Sequence, residues 1–524
     1  MPRLPWLKHR KKTSTAIVEK PPIRLGNFSN GEYFHEQTPL EKKIEREILR
    51  QADDKARKLG IDRRDFLASA MGMATSLSVL NLAAACSSSD DAAKKTSGNG
   101  TPDGGYQIPP DATLDDAHAR QIVGGDEFIF DIQTHHIEHE GDWRTTNPAY
   151  GQTLASFFAP FNGCMETDQT LCIDAEAYLH HIFLESDTTV AVLSGFPAAL
   201  CTDGKTTGCG NPLDNDAMAK SAERFNQIAG SQRVVNHCQV NPTDHLDLQL
   251  AIMENVKNTY GCYGFKTYPE WGPDGKGWMM DDPNSGIPMI EKAKALGVNV
   301  ICMHKGIVFP GWDVAASDPK DVGNVAKQYP DMNFIVYHSA IEFGPTSDNE
   351  GEYNPNNDKG TDRLVRTVLE NDLQGKNLYA ELGSVWAQVM NSPEMAQHVI
   401  GKLVKNLGPD NVLWGSECIW LGSPQPQIEA FRTFQISKEF QDKYGYPELT
   451  AEIKAKIFGL SSARIYGIDP KAVRYQITQT SLARAKDRMD SEIGGRRWAF
   501  QELGGPRTRR EFLALARRTG GRPG

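Results

Sequence analysis

The chain of 524 residues is predicted to be an α/β protein, a (β/α)8 TIM barrel with enlarged loops and with disordered or loosely ordered extensions at both termini. Two observations predict this fold. From residue 127 onwards, short β-branched or aromatic runs alternate with longer segments that can form helices, which is typical of a parallel sheet. Most of these runs also end in a ligand-type polar residue, as in barrel enzymes, whose sites lie at the C-terminal ends of the strands.

Eight runs are the candidate strands. They begin near residues 127, 188, 233, 263, 298, 333, 377 and 411, with the sequences EFIFDIQT, TTVAVLS, RVVNHCQV, YGFKTY, VNVICMHK, NFIVYHS, NLYAELG and NVLWGSE. Amphipathic stretches between several of them, such as DHLDLQLAIMENVKN and AQHVIGKLVKNLG, predict helices. Eight such units in about 340 residues indicate a closed barrel.

Four segments are expected along the chain. They are an export-signal-like region over 1–86, a flexible linker over 87–120, the barrel over 121–470 and a basic extension over 471–524. The linker is rich in Ser, Gly, Asp and Pro and is expected to belong to no fold. The extension is expected to be a solvated tail or an arm on a neighbouring acidic barrel.

Charge is distributed unevenly. The formal net charge is −10 at pH 7, but residues 1–85 carry +6, residues 471–524 carry +8 and the segment between them carries −24. An acidic globule argues against nucleic acid as a partner. The contents of 24% charged and 39% hydrophobic residues describe a soluble globular chain, and they exclude a mainly disordered chain and a polytopic membrane protein.

The N-terminal region contains an export-like pattern. Arg63 and Arg64 precede Phe66 and an uncharged, weakly apolar run to Ala85, which resembles a twin-arginine signal. The alternative is a helix packed on the main domain. Cys86 follows three alanines and is a candidate lipidation site, with cleavage without lipid as the alternative. We expect an exported protein, periplasmic or tethered to the membrane as a lipoprotein, and a cytoplasmic one if this interpretation is wrong.

The nine cysteines fit an oxidising compartment. Cys164 and Cys172 flank one polar loop, and Cys201 and Cys209 flank another, so each pair is a candidate disulfide. The other cysteines within the barrel lie in or beside apolar runs and are expected to be buried free thiols. These are Cys238, Cys262, Cys302 and Cys418.

The strand ends predict the site. They carry Gln133, His135, Ser194, Asn236, His237, Lys266, His304, His338, Glu381 and Glu417. Imidazole and carboxylate groups from strands one, five, six and eight can converge near the barrel axis. Such groups bind divalent metals, and a metal with an open position can polarise a carbonyl or lower the pKa of water to about 7. A neighbouring carboxylate can then accept the proton of the water.

The segments FDIQTHH, GFKTY, ICMHKG, FIVYHSA, NVLWGSECIWLGSPQPQIEAF and KIFGLSSARIYGID together resemble the amidohydrolase superfamily, and in particular its amidohydrolase-2 branch. This branch includes aminocarboxymuconate semialdehyde and resorcylate-type decarboxylases. The resemblance covers about residues 125–470. It implies a metal-dependent TIM barrel that acts on a carboxylate, amide, ester or lactone.

The family motifs fall on particular residues of this chain. By resemblance, the strand-one ligands are Gln133 and His135, the strand-five ligand is His304, and His338 is a ligand or a catalytic acid/base. The strand-eight position, both ligand and base, falls on Glu417. The chain departs from the family at Gln133, where an amide replaces imidazole or carboxylate, and at Glu417, which is one methylene longer than aspartate. Both departures lower the expected metal affinity.

Several further residues have open roles. Lys266 is a candidate contact for a substrate carboxylate or an ion-pair partner, and Lys305 and Glu381 are candidate substrate or supporting contacts, with structural roles as the alternative. Trp271, Trp278, Trp312, Trp386 and Trp420 follow strands and are expected either to form the wall of a pocket or to pack the loops together. The pair His180-His181 is interpreted as structural.

The function expected from the sequence is metal-dependent hydrolysis of a small organic substrate. One divalent metal, Zn before Mn, would be held by His135, His304, Glu417 and Gln133. Glu417 would deprotonate the attacking water, and His338 would stabilise the oxyanion or protonate the leaving group. A decarboxylase is the near alternative, and a non-catalytic binding protein on a degenerate barrel is the second alternative. A homo-oligomer is an open expectation.

Overall fold

A computed structural model describes most of the barrel and parts of both extensions. The described residues are 20–29, 34–87, 103–158, 166–200, 210–309, 311–342, 350–477, 480–492 and 508–518. Parallel strands occupy eight positions around a barrel, and this confirms the predicted fold class. The strands are β1 (Phe130–Thr134), β2 (Val190–Leu193), β3 (Val234–Asn236 and Cys238–Gln239), β4 (Phe265–Thr267), β5 (Val300–His304), β6 (Asn333–Tyr337), β7 (Leu378–Glu381) and β8 (Val412–Leu413).

Strand pairing runs around the ring in chain order. Both parts of β3 are parallel to their neighbours, the first to β2 and the second to β4, and His237 interrupts the strand between them. The first and last strands close the ring, because the Ile132 N–H donates to the Trp414 carbonyl at 3.1 Å and the His135 N–H donates to the Cys418 carbonyl at 2.8 Å. The C-terminal ends of all eight strands therefore meet at one mouth of the barrel.

The strands are buried on both faces, as expected for a parallel sheet covered by helices. Residues of β5 show the alternation: Val300 and Cys302 belong to an inner apolar cluster with residues of six other strands, whereas Ile301 and Met303 pack outwards against the helices. With this period of two, the next inward position of β5 is His304, at the mouth.

The helices follow the strands as predicted. Between the strands lie Trp143–Thr146, Pro148–Phe158, Ala175–Leu179, Asn215–Ala229, Leu246–Tyr260, Gly286–Ala295, Lys320–Gln328, Gly360–Glu370, Val385–Val389 and Pro393–Leu407. After β8 come Gln425–Thr433, Lys438–Tyr444, Ala451–Ala455 and Ser461–Tyr466. Aspartate or serine caps several of these helices; for example, Asp214 accepts from the Ala217 N–H and Ser392 accepts from the Met395 N–H.

The N-terminal region is folded onto the barrel. Helices Pro39–Leu59, Arg63–Leu67 and Ala70–Ser87 pack together, and the run after the paired arginines is buried, with Phe66 and Leu77 each 0% exposed. None of the described helices is long and apolar enough to cross a membrane. This packing agrees with the alternative interpretation of the segment, a helix packed on the main domain. Export remains a prediction, and the side chain of Cys86 lies outside the described part of the chain.

The predicted linker is partly folded, which corrects the expectation that it belongs to no fold. Strand Gly105–Tyr106 pairs antiparallel with Phe434–Gln435, and helix Asp116–Val123 follows. Tyr106 is 0% exposed and donates its hydroxyl hydrogen to the Met390 carbonyl. One buried aromatic side chain therefore anchors a segment whose composition is otherwise that of a tether.

The described parts of the C-terminal extension are helices on the chain's own surface. They are Pro470–Ile477, Ser481–Glu492 and Arg509–Arg518. Phe512 is 3% exposed and packs against Phe34 and Phe157, with ring centroids 6.1 and 5.5 Å apart. Within the described residues, the expectation of a solvated tail is therefore wrong, because Phe512 and Leu482 provide apolar anchors.

The cysteines differ from the expectation at one pair. Cys238 and Cys262 form a disulfide with their Cα atoms 5.6 Å apart, so these two are not the free thiols expected. The disulfide joins β3 to the loop before β4, and the spacing of 24 residues gave no local signal for it. Cys302 and Cys418 are free and buried, as expected. Cys172 is disulfide-bonded, and Cys164, Cys201 and Cys209 lie outside the described residues.

Candidate active site at the barrel mouth

A small cavity lies at the C-terminal ends of the strands. All four residues expected to bind metal line it, and the other lining residues are largely aromatic. The lining consists of Gln133, His135, Tyr150, Leu154, Phe158, Phe196, Pro197, Tyr268, His304, Phe309, Trp312, Glu417 and Trp420. The structure thus brings together side chains from β1, β5 and the segment after β8.

A β-bulge in β1 positions Gln133 and also His135, which follows the strand directly. The register with β2 shifts between Asp131 and Thr134, so the strict alternation that places Ile132 in the inner cluster ends there. Gln133 and His135 consequently both line the cavity. A bulge re-aims side chains in this way and is common next to active sites.

His135 is held from two sides. Its Nδ1 lies 2.7 Å from the Ser194 carbonyl oxygen, and its ring is parallel to that of Trp420, at 2° and 5.5 Å between centroids. A carbonyl oxygen only accepts, so Nδ1 carries the hydrogen and Nε2 is the nitrogen with a lone pair. Burial, together with Lys266 and neighbouring imidazoles, lowers the pKa of His135 to about 3, so the ring is neutral at neutral pH.

His304 has the same arrangement with a carboxylate. Its Nδ1 lies 3.3 Å from Oε1 of Glu270, both side chains are almost fully buried, and Tyr268 stacks on the ring at 5.1 Å. A carboxylate that accepts from Nδ1 fixes the tautomer in which Nε2 has the lone pair, and it raises the basicity of that nitrogen. Glu270 was not recognised from the sequence, although it follows the β4 motif in FKTYPE.

His338 lies beneath the cavity lining and contacts two residues of the lining. Its Nδ1 donates to the Gly383 carbonyl at 2.9 Å, and its Nε2 lies 3.4 Å from the Gln133 amide nitrogen and 3.9 Å from Oε1 of Glu417. Burial, with His304 and Lys266 nearby, holds the pKa of His338 well below its usual value. All three imidazoles at the mouth therefore have Nδ1 engaged and a lone pair on Nε2.

The backbone at two of these positions is left-handed. His338 has φ of 62° and Glu417 has φ of 58°, a conformation that costs a non-glycine residue about 1–3 kcal/mol. The surrounding hydrogen bonds stabilise it: the His338 N–H donates to Oε2 of Glu381 at 3.0 Å, and the Glu417 N–H donates to the Gln133 carbonyl at 2.9 Å. Strain of this kind is concentrated at functional sites.

Glu381 supports the site without lining the cavity. Burial raises the pKa of Glu381 to about 8, although the N–H groups of His338 and Gly383 donate to it. With its amide nitrogen oriented towards Glu381, Gln133 donates to the two carboxylate oxygens at 3.0 and 3.1 Å. A Cβ at Gly383 would collide with the Gln133 side chain, which explains the glycine at that place.

The orientation of the Gln133 amide depends on the proton of Glu381. When Glu381 is ionised, the amide nitrogen faces it, and the amide oxygen takes the position 3.4 Å from Nε2 of His338. The lone pairs of the amide oxygen and of Nε2 then face each other, and this arrangement favours a cation between the two atoms. When Glu381 is protonated, it can donate to the amide oxygen while the amide nitrogen donates to Nε2 of His338, and no cation is needed.

Asp131 is a second buried acid that the sequence did not reveal. It accepts from the Ser416 N–H at 3.0 Å and from the Ser416 hydroxyl, and so it fixes the segment that carries Glu417. Burial raises the pKa of Asp131 to about 7, against the hydrogen bonds from Ser416 and Gln133. Its position within the apolar run FDIQT was the available signal.

The two lysines have different positions. Lys266 is fully buried on β4, with Nζ 4.2 Å from the Tyr268 ring centroid and 4.0 Å from that of Tyr337, so it lies close to the site. Lys305 points away: its ammonium donates to Asp321 at 2.9 Å and to the Ala316 carbonyl at 2.7 Å. The structure therefore does not support a substrate contact for Lys305, because a buried ion pair holds its charge.

Other residues singled out by the sequence lie elsewhere. His237 points into the barrel interior, where its Nε2 lies 2.8 Å from the Tyr466 hydroxyl. Trp312 and Trp420 line the cavity, whereas Trp386 is buried against Phe431 and Phe434. Trp271 and Trp278 are also buried outside the cavity lining. The expectation that tryptophans form the wall of a pocket is thus met by two of the five.

The polar side chains that line the cavity are of the types that bind divalent metals. Two imidazoles and a carboxylate line one cavity, and imidazole nitrogen with carboxylate oxygen is the ligand chemistry of zinc and manganese. The donor atoms are still spread out: among the described residues, the group with three ligand atoms within 4.8 Å of one another is His180, His181 and Glu185. Side-chain adjustment would have to bring the ligands at the mouth closer together.

The fold and these residues define a class of protein: a parallel β/α barrel with metal-ligand side chains at the mouth. Residues 213–468, a little under half of the chain, match the Amidohydro_2 family model, whose description is amidohydrolase. The resemblance found in the sequence is thereby confirmed. The match begins after β2, so Gln133 and His135 lie outside it. No curated protein matches the chain.

Several solved structures are similar to the chain at low identity. A 2,6-dihydroxybenzoate decarboxylase from Rhizobium is 10% identical, with 65% of this chain and 99% of that chain covered and a TM-score of 0.36. A 5-carboxyvanillate decarboxylase from Sphingomonas paucimobilis is 14% identical, with the same coverage and TM-score. An amidohydrolase from Burkholderia multivorans with bound Zn is 11% identical, with 65% and 100% covered and a TM-score of 0.39. Similarity of this degree assigns no reaction to the chain.

Proposed function

We propose that the chain is a metal-dependent hydrolase that attacks the carbonyl group of a small organic substrate. The observation that carries the proposal is the convergence of His135, His304 and Glu417 on one cavity at the barrel mouth. These residues come from three distant parts of the sequence, and the family motifs fall on the same three. A cavity that combines a few polar groups with an apolar lining is typical of a small-molecule site.

A divalent ion would be held by Nε2 of His135, Nε2 of His304 and the Glu417 carboxylate, with the Gln133 amide oxygen as a further ligand when Glu381 is ionised. When bound, it would polarise the carbonyl and lower the pKa of water to about 7. Zinc is the first expectation and manganese the second, since a His/carboxylate set accepts both. The Nδ1 contacts with Ser194 and Glu270 support the proposal, because they present the nitrogens in the required tautomer.

Glu417 is the base in this proposal. Its carboxylate lines the cavity and can accept the proton of an attacking water, then return it to the leaving group. His338 has Nδ1 committed to Gly383 and a lone pair on Nε2, so a neutral ring has no hydrogen to donate towards the cavity. The acid role expected for His338 therefore passes to Glu417, and His338 supports the carboxylate and the Gln133 amide.

The substrate is expected to be planar. The rings of His135, Phe196 and Trp420 lie within 30° of one another at about 5.5 Å, and Phe158 stacks on Trp420 at 4.3 Å. These aromatic walls also favour the second candidate, a decarboxylase of an aromatic or unsaturated acid, because such acids are flat. Release of CO2 during turnover separates the two reactions.

The decisive experiment is a metal count by plasma mass spectrometry on the full-length protein beside His304→Ala and Glu417→Ala. Each variant should hold about one equivalent less zinc or manganese than the parent and should lose turnover of esters, lactones or aromatic acids. His118→Ala and Glu140→Ala are matched controls, since both residues lie outside the cavity lining. If a folded, metal-reconstituted parent holds no more metal than either variant, the non-catalytic binding protein becomes the better proposal.

A further inference from the structure

A compact group of ligand atoms lies away from the barrel mouth. His180, His181 and Glu185 belong to the helical segment that precedes β2, and one donor atom from each lies within 4.8 Å of the other two. Nδ1 of His180 is 3.1 Å from Oε1 of Glu185, and Nδ1 of His181 is 2.5 Å from Oε2. None of the three lines the cavity, so the group is independent of the function proposed above.

The backbone explains why these side chains meet. Residues His180–Leu184 form a π-helical turn, in which the Glu185 N–H donates to the His180 carbonyl at 2.9 Å. In an α-helix, positions five apart point about 140° away from each other. The wider π turn brings them onto one side, so His180 and His181 both face Glu185. Single π turns of this kind are frequent at functional sites.

The group contains a polar atom that the protein leaves unsatisfied. Within the described residues, Nδ1 of His180 is buried, and its 3.1 Å contact with the Glu185 carboxylate lacks the angles of a good hydrogen bond. A buried nitrogen in that position is destabilising unless something occupies its lone pair. A cation between the two imidazoles and the carboxylate would accept a lone pair from each of the three side chains.

From these contacts we propose that His180, His181 and Glu185 form a second divalent-cation site, of the zinc class. Two imidazoles and one carboxylate form a common zinc ligand set, and three protein ligands leave a coordination position for water. The side chain of His180 is 24% exposed, whereas those of His181 and Glu185 are 4% and 9% exposed. His180 therefore faces the route by which an ion enters.

The test uses the full-length protein without a polyhistidine tag, stripped with a chelator and titrated with Zn²⁺ in the parent, His180→Gln and Glu185→Gln. Each variant should bind one equivalent less than the parent, or bind it more than about tenfold more weakly. His118→Gln is the matched control, because His118 also contacts one carboxylate, Asp111 at 3.0 Å, but belongs to no three-ligand group among the described residues. The control should bind as the parent does.

The His304→Ala background separates this site from the barrel mouth. The His304→Ala variant should still bind one Zn²⁺, and adding His180→Gln to it should abolish that binding. An equal zinc count and affinity in the parent, His180→Gln and Glu185→Gln would overturn the proposal and leave a hydrogen-bonded His–Glu–His group. If Glu185→Gln fails to fold by circular dichroism, His180→Gln decides the result, because its partly exposed side chain can be replaced with little effect on packing.

Discussion

The carboxylate of Glu270 lies 3.3 Å from Nδ1 of His304, and both side chains are almost completely buried. The contact joins the loop after β4 to the end of β5. It decides which nitrogen of His304 faces a ligand, since a carboxylate oxygen accepts the Nδ1 hydrogen. A candidate metal ligand is therefore oriented by a residue that the family motifs did not indicate.

Glu270→Gln should weaken metal binding at the mouth by about 10–100-fold, because the amide is a poorer acceptor and leaves His304 less basic. Competition with a chelator of known affinity measures the change. Glu254→Gln is the control, since Glu254 is exposed and pairs with Lys292 on the outer helices. Equal affinities in parent and Glu270→Gln would show that Glu270 is only a structural partner.

Stability should depend on pH through Glu381. Burial raises the pKa of Glu381 from 4.5 to about 8, so between these values the folded chain binds a proton that the unfolded chain does not. Stability should consequently fall as the pH rises from about 4.5 to 8, by at most on the order of 5 kcal/mol. Urea unfolding measures the free energy of unfolding of the metal-free parent and of Glu381→Gln. As the pH rises, the parent should lose stability relative to the variant. A difference that is constant with pH would contradict the raised pKa.

Lys305→Met should act on stability. Lys305 and Asp321 form an ion pair in which both side chains are 0% exposed, and removing one partner leaves a buried charge, at a cost of about 3–5 kcal/mol. Denaturant unfolding measures the loss. Lys276→Met, at an exposed pair with Asp274, should change little. Unchanged stability together with weaker substrate binding would restore the substrate contact expected from the sequence.

Trp420→Ala should weaken the binding of flat ligands. Trp420 is parallel to His135 and stacks with Phe158, and an aromatic stack contributes about 0.5–1.5 kcal/mol, or about 2–12-fold in affinity. Fluorescence titration with aromatic acids compares the variant with Trp386→Phe, whose ring lies in the core outside the cavity lining. The same loss in both variants would mean that the effect is on folding.

The packed N-terminal helix gives a matched pair of variants. Leu77 is 0% exposed and Leu82 is 57% exposed on the same helix, Ala70–Ser87. Leu77→Ala should destabilise the full-length protein by about 2–5 kcal/mol, and Leu82→Ala should change stability by less than about 0.5 kcal/mol. Equal unfolding curves would favour the export-signal interpretation, in which this helix does not belong to the domain. The mature N-terminus, read by mass spectrometry, would then show whether the segment is removed.

Strand order and strand ends were predictable because each depends on local pattern. Apolar runs bounded by polar residues placed β5 and β6 within about two residues, and they placed His304 and His338 at the ends. The bulge in β1 was not predictable, because it depends on the register with β2. The disulfide between Cys238 and Cys262 was also missed, because nothing in the 24 residues between them indicates that the two segments lie side by side.

The sequence by itself determined the barrel, the order of its strands and the ligand-type residues at its mouth, because hydrophobic periodicity and parallel topology place strand ends at one edge. Only the tertiary structure decided which side chains face the cavity and in which protonation state. Lys305 is bound to Asp321, Glu270 fixes His304, and burial keeps Glu381 protonated near neutral pH. Those outcomes depend on neighbours that are distant in sequence and on exclusion of water, which no local pattern encodes.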